Sequence, residues 1–317
     1  MKKLPQFHFL LIISILVSFS SFATYYQKPF EGDSVTITYA KKDGEELKMD
    51  VFSPKRPSGK LPLVIFLHGG GFSGGNRKGG TEFCKELVKE GYVAATISYR
   101  LYMKGKSFSC DQQLGEKVKA IQMASNDLRS SVKYFIDHQD ELSIDPEKII
   151  ISGSSAGAET ILQSAFWPMD KMDFDEPVLD KSFKFAGLIS FAGAVMDLNL
   201  INENSTIPTL LFHGTCDNLV PYATAAHHYC EWDAPGWLML FGSYSIAEKV
   251  KQIGGSVELY TFCGAGHEIA GSPKTQNLEE IKSFIKKAIL NGQKVQGYFI
   301  IPTKNCNSKP IPNGICE

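Results

Sequence analysis

A serine flanked by glycines follows a run of strongly apolar residues. Residues 148–152 read KIIIS and lead directly into GSSAG at 153–157. This G-x-S-x-G spacing presents a reactive hydroxyl when the serine lies at a sharp turn between a strand and a helix. The flanking glycines are needed because strand and helix approach each other closely at such a strained turn. The sequence therefore predicts Ser155 as a nucleophile, and the N–H of Ala156 faces the same point.

A second glycine-rich motif, HGGGF at 68–72, follows the apolar run LVIFL at 63–67. Consecutive glycines allow the main chain to fold so that N–H groups point at a developing negative oxygen. We predict that the N–H groups of Gly70 and Gly71, together with that of Ala156, form an oxyanion hole. The motif lacks both the Lys-Ser/Thr ending of a phosphate-binding P-loop and a G-x-G-x-x-G spacing, which argues against a nucleotide site.

A nucleophilic serine needs a base, and the best placed of the seven histidines is His267. It lies in the small-residue loop GAGHE at 264–268, after the last predicted strand, where a mobile imidazole can take and return a proton. His213 ends a buried strand and is interpreted as a core residue. His227 and His228 fall within a predicted helix, and His68 is expected to brace the glycine loop.

The acid that orients the imidazole is predicted to be Asp217, in the segment HGTCDNLVPY at 213–222. This segment follows the strand that precedes the histidine strand, and the order serine, acid, histidine is known for one serine-hydrolase architecture. Asp197, after an earlier strand, remains the alternative acid. Glu268 adjoins His267 and is interpreted as a solvated loop residue.

The elements that must position these side chains alternate along the chain. SVTITYA and ELKMDVF alternate apolar and polar residues around Asp43-Gly44, a strong hairpin signal. Further on, strands separated by helical segments indicate βαβ units and a mostly parallel sheet covered on both faces. The remaining predicted strands are 63–67, 92–99, 148–152, 185–193, 208–214 and 257–262, and the predicted helices are 81–90, 115–138, a helix from Ala156, 222–231 and 276–291. Only the stretch 231–243 and the tail 292–317, interpreted as a loop-rich strap, do not fit this pattern.

With HGGGF, GSSAG, HGTCDNLVPY and GAGH in this order, the sequence resembles the α/β-hydrolase fold superfamily, and within it the esterase/lipase group that carries HGGGF. The resemblance covers residues 34–291. It implies a mostly parallel central sheet of about eight strands with an N-terminal antiparallel hairpin and helices on both faces. It also implies hydrolysis of carboxylic esters without a cofactor. The predicted export and the compact size of the chain resemble those of bacterial acetyl xylan and feruloyl esterases.

The first 23 residues are typical of an export signal. Lys2 and Lys3 precede a short apolar run, and Ser21-Phe22-Ala23 fits the small-x-small cleavage rule. We expect cleavage after Ala23 and a single α/β-hydrolase domain over 24–317, secreted or periplasmic, without stable membrane insertion. An uncleaved anchor is the alternative.

The composition excludes several partners. The 33 basic residues balance 34 acidic ones, so no basic excess favours nucleic acid. No cysteine pair has metal-type spacing, and we predict neither a metal nor another cofactor. Seven cysteines leave at least one without an intrachain partner. The candidate pairs are Cys306–Cys316, Cys216–Cys263 and Cys216–Cys230.

The predicted substrate is a small-molecule or polysaccharide-linked ester. The candidate pocket residues are four aromatic side chains: Phe72, Tyr102, Tyr222 and Trp237. Two other functions remain open. A peptidase of the prolyl-oligopeptidase type usually carries a further large domain, and a catalytically inactive binding protein would have a broken triad.

Overall fold

The described chain builds a mixed sheet with helices between its strands. A computed structural model describes residues 31–168, 175, 179–303 and 315–316. The predicted signal and its cleavage site lie outside these residues. The strands are β1 (Gly32–Lys42), β2 (Glu45–Pro54), β3 (Leu61–Leu67), β4 (Val93–Ile97), β5 (Ile144–Ser154), β6 (Gly187–Phe191), β7 (Ala194–Val195), β8 (Thr209–Gly214), β9 (Thr224–Ala226), β10 (Met239–Gly242), β11 (Val257–Cys263) and β12 (Gln296–Pro302).

The helices follow the strands as a βαβ arrangement requires. They are α1 (Thr81–Lys89), α2 (Leu114–Asp137), α3 (Ala156–Phe166), α4 (Ser243–Gln252), α5 (Pro273–Gln276) and α6 (Leu278–Phe284), which continues as a π-helical segment over Ile285–Leu290. No helix in these ranges combines the length and apolar character needed to cross a membrane.

Nine of the described strands form one sheet in the order β1-β2-β4-β3-β5-β6-β8-β11-β12. β2 pairs antiparallel with both β1 and β4, and every other neighbouring pair is parallel. The predicted hairpin is confirmed. Asp43 (φ 50°) and Gly44 (φ 80°) form its turn, and both angles lie in the left-handed region that two-residue hairpins require. The predicted mostly parallel sheet is also confirmed.

Both faces of the central strands are buried. Leu63, Ile65 and Leu67 of β3 belong to one apolar core with side chains of α2, α3 and α4. The alternating residue Phe66 is also fully buried, and its ring lies 5.8 Å from that of Phe83 in α1. A strand buried on both faces reads as a continuous apolar run, which is why LVIFL does not alternate.

Two predicted elements are wrong. The helix expected over 222–231 is absent, because Thr224–Ala226 instead pairs with β10 in a second sheet of order β7-β10-β9. His228 and Tyr229 then adopt positive φ, which an α-helix excludes. The tail expected to be only a loop contains β12, which pairs in parallel with β11.

The cysteine pairs also differ from the candidates. Cys110 bonds to Cys230, and Cys263 bonds to Cys316, so none of the three proposed pairings forms. Cys84 is a free, buried thiol. These partners are 120 and 53 residues apart. The fold determines which cysteines come close enough in space to bond, and their spacing in the sequence does not reveal this.

A buried ion-pair network ties the hairpin to α2. The Asp127 carboxylate is fully buried and accepts hydrogen bonds from the backbone N–H (2.8 Å) and Nε (3.0 Å) of Arg100. Lys42 at the end of β1 lies 3.3 Å from the same carboxylate. Removing one partner of a buried pair leaves the other charge without compensation.

We therefore expect Asp127→Ala to lower the free energy of unfolding by about 3–5 kcal/mol, as is usual for broken buried pairs. Urea denaturation measures this change. Asp137→Ala is the matched control, because Asp137 lies on the same helix in a half-exposed pair with Lys133 and should unfold close to wild type. Equal midpoints for the two variants would show that the network adds no stability.

Candidate active site

Ser155 lies at the turn between β5 and α3, with φ 53° and ψ −122°. This strained conformation is possible because the residues two before and two after Ser155 are glycines. A Cβ on Gly153 would lie 2.3 Å from the Gly157 carbonyl oxygen, and one on Gly157 would lie 2.4 Å from that of Leu67. The turn is therefore closed so tightly that it tolerates no side chain at either position, and the serine hydroxyl is left at its tip.

The His267 imidazole contacts both other members of the predicted triad. Its Nε2 lies 2.8 Å from Ser155 Oγ, and its Nδ1 lies 2.7 Å from Asp217 Oδ2. An ionised carboxylate only accepts hydrogen bonds, so Nδ1 carries the proton and Nε2 is free to accept the serine proton. Three residues that are far apart in the sequence thus form one hydrogen-bonded chain at the carboxyl edge of the sheet.

Asp217 is fully buried and held by four groups. Its Oδ1 accepts from the N–H groups of Leu219 and Val220, both at 2.9 Å. Its Oδ2 lies 3.3 Å from His213 Nε2 in addition to its contact with His267. Burial alone would raise the pKa of Asp217, but the hydrogen bonds from the two histidines lower it well below its usual range.

The competing acids are engaged elsewhere. Asp197 caps the short turn Leu198–Leu200 by accepting from the N–H of Asn199 at 2.8 Å. Glu268 accepts from the N–H of Gly266 at 3.0 Å, which holds the histidine loop. His213 also donates towards the Val220 carbonyl at 3.1 Å and lies 2.8 Å from Ser243 Oγ, as befits a core histidine.

Two of the three predicted oxyanion donors line the same cavity as Ser155, and the third does not. Gly71 and Ala156 line a cavity of about 160 Å³ together with Ser155, whereas Gly70 does not line it. The N–H of Ala156 lies at the first position of α3, where a helix has no internal acceptor. The N–H of Gly71 donates to no acceptor that the structure describes. These two groups can therefore donate to a ligand oxygen.

The four predicted pocket aromatics do not line this cavity. Phe72 is fully buried against the rings of Tyr99 and Phe108, and the buried Tyr222 hydroxyl bonds to Thr261. Tyr102 bonds to Glu116 at 3.0 Å. Trp237 is also absent from the lining. Aromatic residues near motifs more often pack in the core than bind ligand, and Phe72 and Tyr222 follow this rule.

The cavity has polar residues that sequence reasoning missed. Its wall is completed by Phe108, Ser109, Glu159, Leu219, Val220, His227 and His228. The sequence contained a signal for Glu159. This residue lies four positions after Ser155 and so occupies the same face of α3. The sequence contained no such signal for His227 and His228, because their position depends on β9 and on the Cys110–Cys230 bond. No metal-binding cluster of histidine, cysteine or acidic side chains occurs in the described part of the chain.

Comparison with known proteins identifies the fold. A family model described as BD-FAE matches residues 49–206. An esterase structure from Thermogutta terrifontis superposes with a TM-score of 0.61 at 21% identity, covering 80% of this chain and 93% of that one. The chain therefore has the α/β-hydrolase fold, as its sequence predicts.

Curated relatives match shorter parts of the chain. Gut esterase 1 of Caenorhabditis elegans is 27% identical over 154 residues, which is 47% of this chain and 26% of the relative. An acetyl esterase of Salmonella schwarzengrund is 31% identical over 121 residues, which is 38% of this chain and 33% of the relative. The chain thus spans between a quarter and a third of the length of these relatives.

The carboxylate next to His267 predicts a measurable titration. Burial lowers the pKa of His267, but the hydrogen bond and charge of Asp217 outweigh it, and the pKa lies above its usual value of 6.5. In Asp217→Asn the largest raising contribution is lost while burial remains, so the pKa of His267 should fall below its wild-type value. NMR of the imidazole C–H resonances measures both values, with His267→Gln identifying the signal. The same midpoint in both proteins would contradict the assigned contact.

Proposed function

We propose that the protein is an exported serine carboxylic-ester hydrolase that removes a short acyl group from small esters or acylated carbohydrates. The observation that carries this proposal is the hydrogen-bonded chain from Ser155 through His267 to Asp217 at the cavity. The two curated relatives described above are named as esterases, which agrees with the proposal.

The geometry allows a two-stage reaction. Ser155 Oγ attacks the ester carbonyl carbon while His267 Nε2 takes the hydroxyl proton, and the resulting oxyanion accepts hydrogen bonds from the N–H groups of Gly71 and Ala156. The carbonyl reforms, the alkoxide leaves with the proton from His267, and an acyl-enzyme remains. Water then attacks the acyl-enzyme with His267 again as the base, which releases the acid and restores Ser155.

The size of the cavity supports a short acyl group. A volume of about 160 Å³ is close to that of a cavity that accommodates one benzene molecule. A sugar ring linked to the ester oxygen would then stay outside while the acyl group enters. The Salmonella relative is named an acetyl esterase, and the Thermogutta structure is described with propionate bound.

Export is supported by two kinds of observation. The first 23 residues carry the sequence features of a secretory signal. The described cysteines include the Cys110–Cys230 and Cys263–Cys316 disulfides, which are stable in oxidising compartments.

The nucleophile is tested with a fluorophosphonate probe and with turnover of p-nitrophenyl acetate. We expect wild type to be labelled and Ser155→Ala to lose both labelling and turnover, because no other hydroxyl contacts His267 Nε2 in the described chain. The neighbouring variant Ser154→Ala should still be labelled, since the Ser154 hydroxyl bonds to the Ala270 carbonyl instead. Labelling of Ser155→Ala at the wild-type rate would disprove the proposal.

The acid is tested by comparing two aspartates. Asp217→Asn should lower kcat by about 10⁴-fold, as in other serine triads, because the imidazole loses the partner that fixes its tautomer. Asp197→Asn removes only a cap and should retain nearly full kcat. The reverse result would assign the acid to Asp197.

The acyl preference is tested with p-nitrophenyl esters of increasing length. Forcing a longer chain into a filled cavity costs about 1–3 kcal/mol, so kcat/KM should fall by about 5–160-fold from propionate to octanoate. Leu219→Ala, which enlarges the cavity wall, should weaken this discrimination, and Leu200→Ala, outside the wall, should preserve it. Faster hydrolysis of octanoate by wild type would exclude a short acyl pocket.

A further inference from the structure

A second polar group lies in the same cavity, one helical turn beyond Ser155. Glu159 is 2% exposed and lines the cavity wall, and its Oε1 accepts no hydrogen bond from any described residue. His227 Nε2 lies 3.4 Å from Oε1, which is longer than a good hydrogen bond. His227 is equally buried, and its Nδ1 also has no hydrogen-bond partner in the described chain.

Two polar side chains in one cavity, each with a buried atom that has no hydrogen bond, need an explanation. Burying such groups without hydrogen bonds costs free energy, so proteins rarely retain them without a partner or a role. Neither Glu159 nor His227 takes part in the two-stage reaction proposed above. A ligand group that donates and accepts hydrogen bonds would satisfy both residues when it enters the cavity.

The protonation of the pair defines the chemistry of that ligand group. Burial raises the pKa of Glu159 to about 8, and the charges of Lys117 and His267 offset this only in part. Burial lowers the pKa of His227 well below its usual value, and the positive charge of Lys117 lowers it further. A protonated carboxyl and a neutral imidazole each offer one donor and at least one acceptor without net charge. The pair therefore suits a neutral hydroxyl better than a carboxylate or an ammonium group.

Other charged groups around the pair do not supply the missing partner. Lys117 is fully buried, and its Nζ donates to the Gly236 carbonyl at 2.9 Å. His228, on the other side, lies 3.2 Å from Ser109 Oγ through its Nδ1, and burial lowers its pKa to about 4. Asp217 is held by its own four contacts.

The distance along α3 places the ligand hydroxyl on the acyl group. Glu159 follows Ser155 by four residues, which is about 6 Å along a helix. Both residues line the same cavity, so a group bound by Glu159 lies near a carbonyl carbon bonded to Ser155 Oγ. In the proposed reaction this cavity receives the acyl group, so the group that Glu159 contacts is part of the acyl chain.

We propose that Glu159 and His227 bind a hydroxyl carried by the acyl group, so that the preferred substrates are esters of short hydroxy acids. This inference rests on the proposed esterase function and deepens it. It assigns both residues to substrate selection and not to the proton transfers of the reaction.

The test compares p-nitrophenyl glycolate with p-nitrophenyl propionate. Their acyl groups have the same number of non-hydrogen atoms and differ by a hydroxyl in place of a methyl group. Each kcat/KM is divided by the rate constant for hydroxide-catalysed hydrolysis of the same ester, which removes the difference in intrinsic reactivity. We expect wild type to favour glycolate by at least about tenfold, because a site that hydrogen-bonds a hydroxyl rejects the analogue that lacks it.

Variants assign the preference to the pair. Glu159→Leu replaces the carboxyl by an apolar group of similar size, and the normalised ratio should reverse in favour of propionate. Glu159→Gln keeps a donor and an acceptor at the same place and should retain a preference for glycolate. Glu86→Leu, on the surface of α1 in a pair with Lys89, is the matched control and should keep the wild-type ratio.

The outcomes separate this inference from the proposed function. Hydrolysis of both esters by wild type through Ser155, with no preference for glycolate, would overturn the inference and leave the esterase function intact. The wild-type ratio gives this result even if the Glu159 variants fail to fold. A Glu159→Leu protein with an unchanged ratio would also overturn it. Failure to hydrolyse either ester, together with no labelling by the fluorophosphonate, would remove the proposed function itself.

Discussion

The site depends on a carboxylate that is kept charged without access to water. Asp217 is fully buried, and an isolated charge in such a place would be very unfavourable. The protein compensates by directing two backbone N–H groups and two imidazoles at it. These donors come from the segment after β8, from His213 within β8 and from the loop after β11. The carboxylate therefore holds the loop after β8 and the loop after β11 together. The position of His267, and so the reactivity of Ser155, follows from this arrangement.

The parallel sheet makes this convergence possible. β5, β8 and β11 are parallel, and Ser155, Asp217 and His267 lie beyond their carboxyl ends. Their order in the sheet places β6 between β5 and β8, and the Phe191 carbonyl of β6 accepts the N–H of Ser155 at 2.9 Å. The strained turn is therefore anchored to the neighbouring strand, and the serine hydroxyl is held in place before a substrate arrives. Such preorganisation is what electrostatic stabilisation of a transition state requires.

The sequence predicts the parts of the site that are fixed locally. Ser155 and the HGGGF segment are recognisable because each directly follows an apolar strand and carries glycines that only a tight turn needs. His267 and Asp217 are recognisable because both lie in small or polar loops after strands of the same parallel sheet. For these residues, sequence neighbours determine the geometry, and so the motif and the structure agree.

The parts that could not be predicted depend on distant segments. Residues 222–231 have a helix-like composition, yet pairing with β10 and the bond between Cys110 and Cys230 hold them in another conformation. The cavity residue His227 is placed by that conformation, so no local pattern could reveal it. The strand β12 was missed for a related reason. It lies at the sheet edge with Phe299 and Ile300 exposed, and its strand character comes from pairing with β11.

The candidate site thus contains two buried carboxyl groups whose pKa values are shifted in opposite directions. Asp217 receives donors at both oxygens and stays ionised, whereas Glu159 receives none at Oε1 and its pKa rises to about 8. Burial is nearly the same for both, so the number of hydrogen-bond donors decides which group keeps its charge. This separation has a chemical consequence. The ionised carboxylate can stabilise a protonated imidazole during catalysis, and the neutral one can lie beside an uncharged substrate group without competing for the proton that His267 carries.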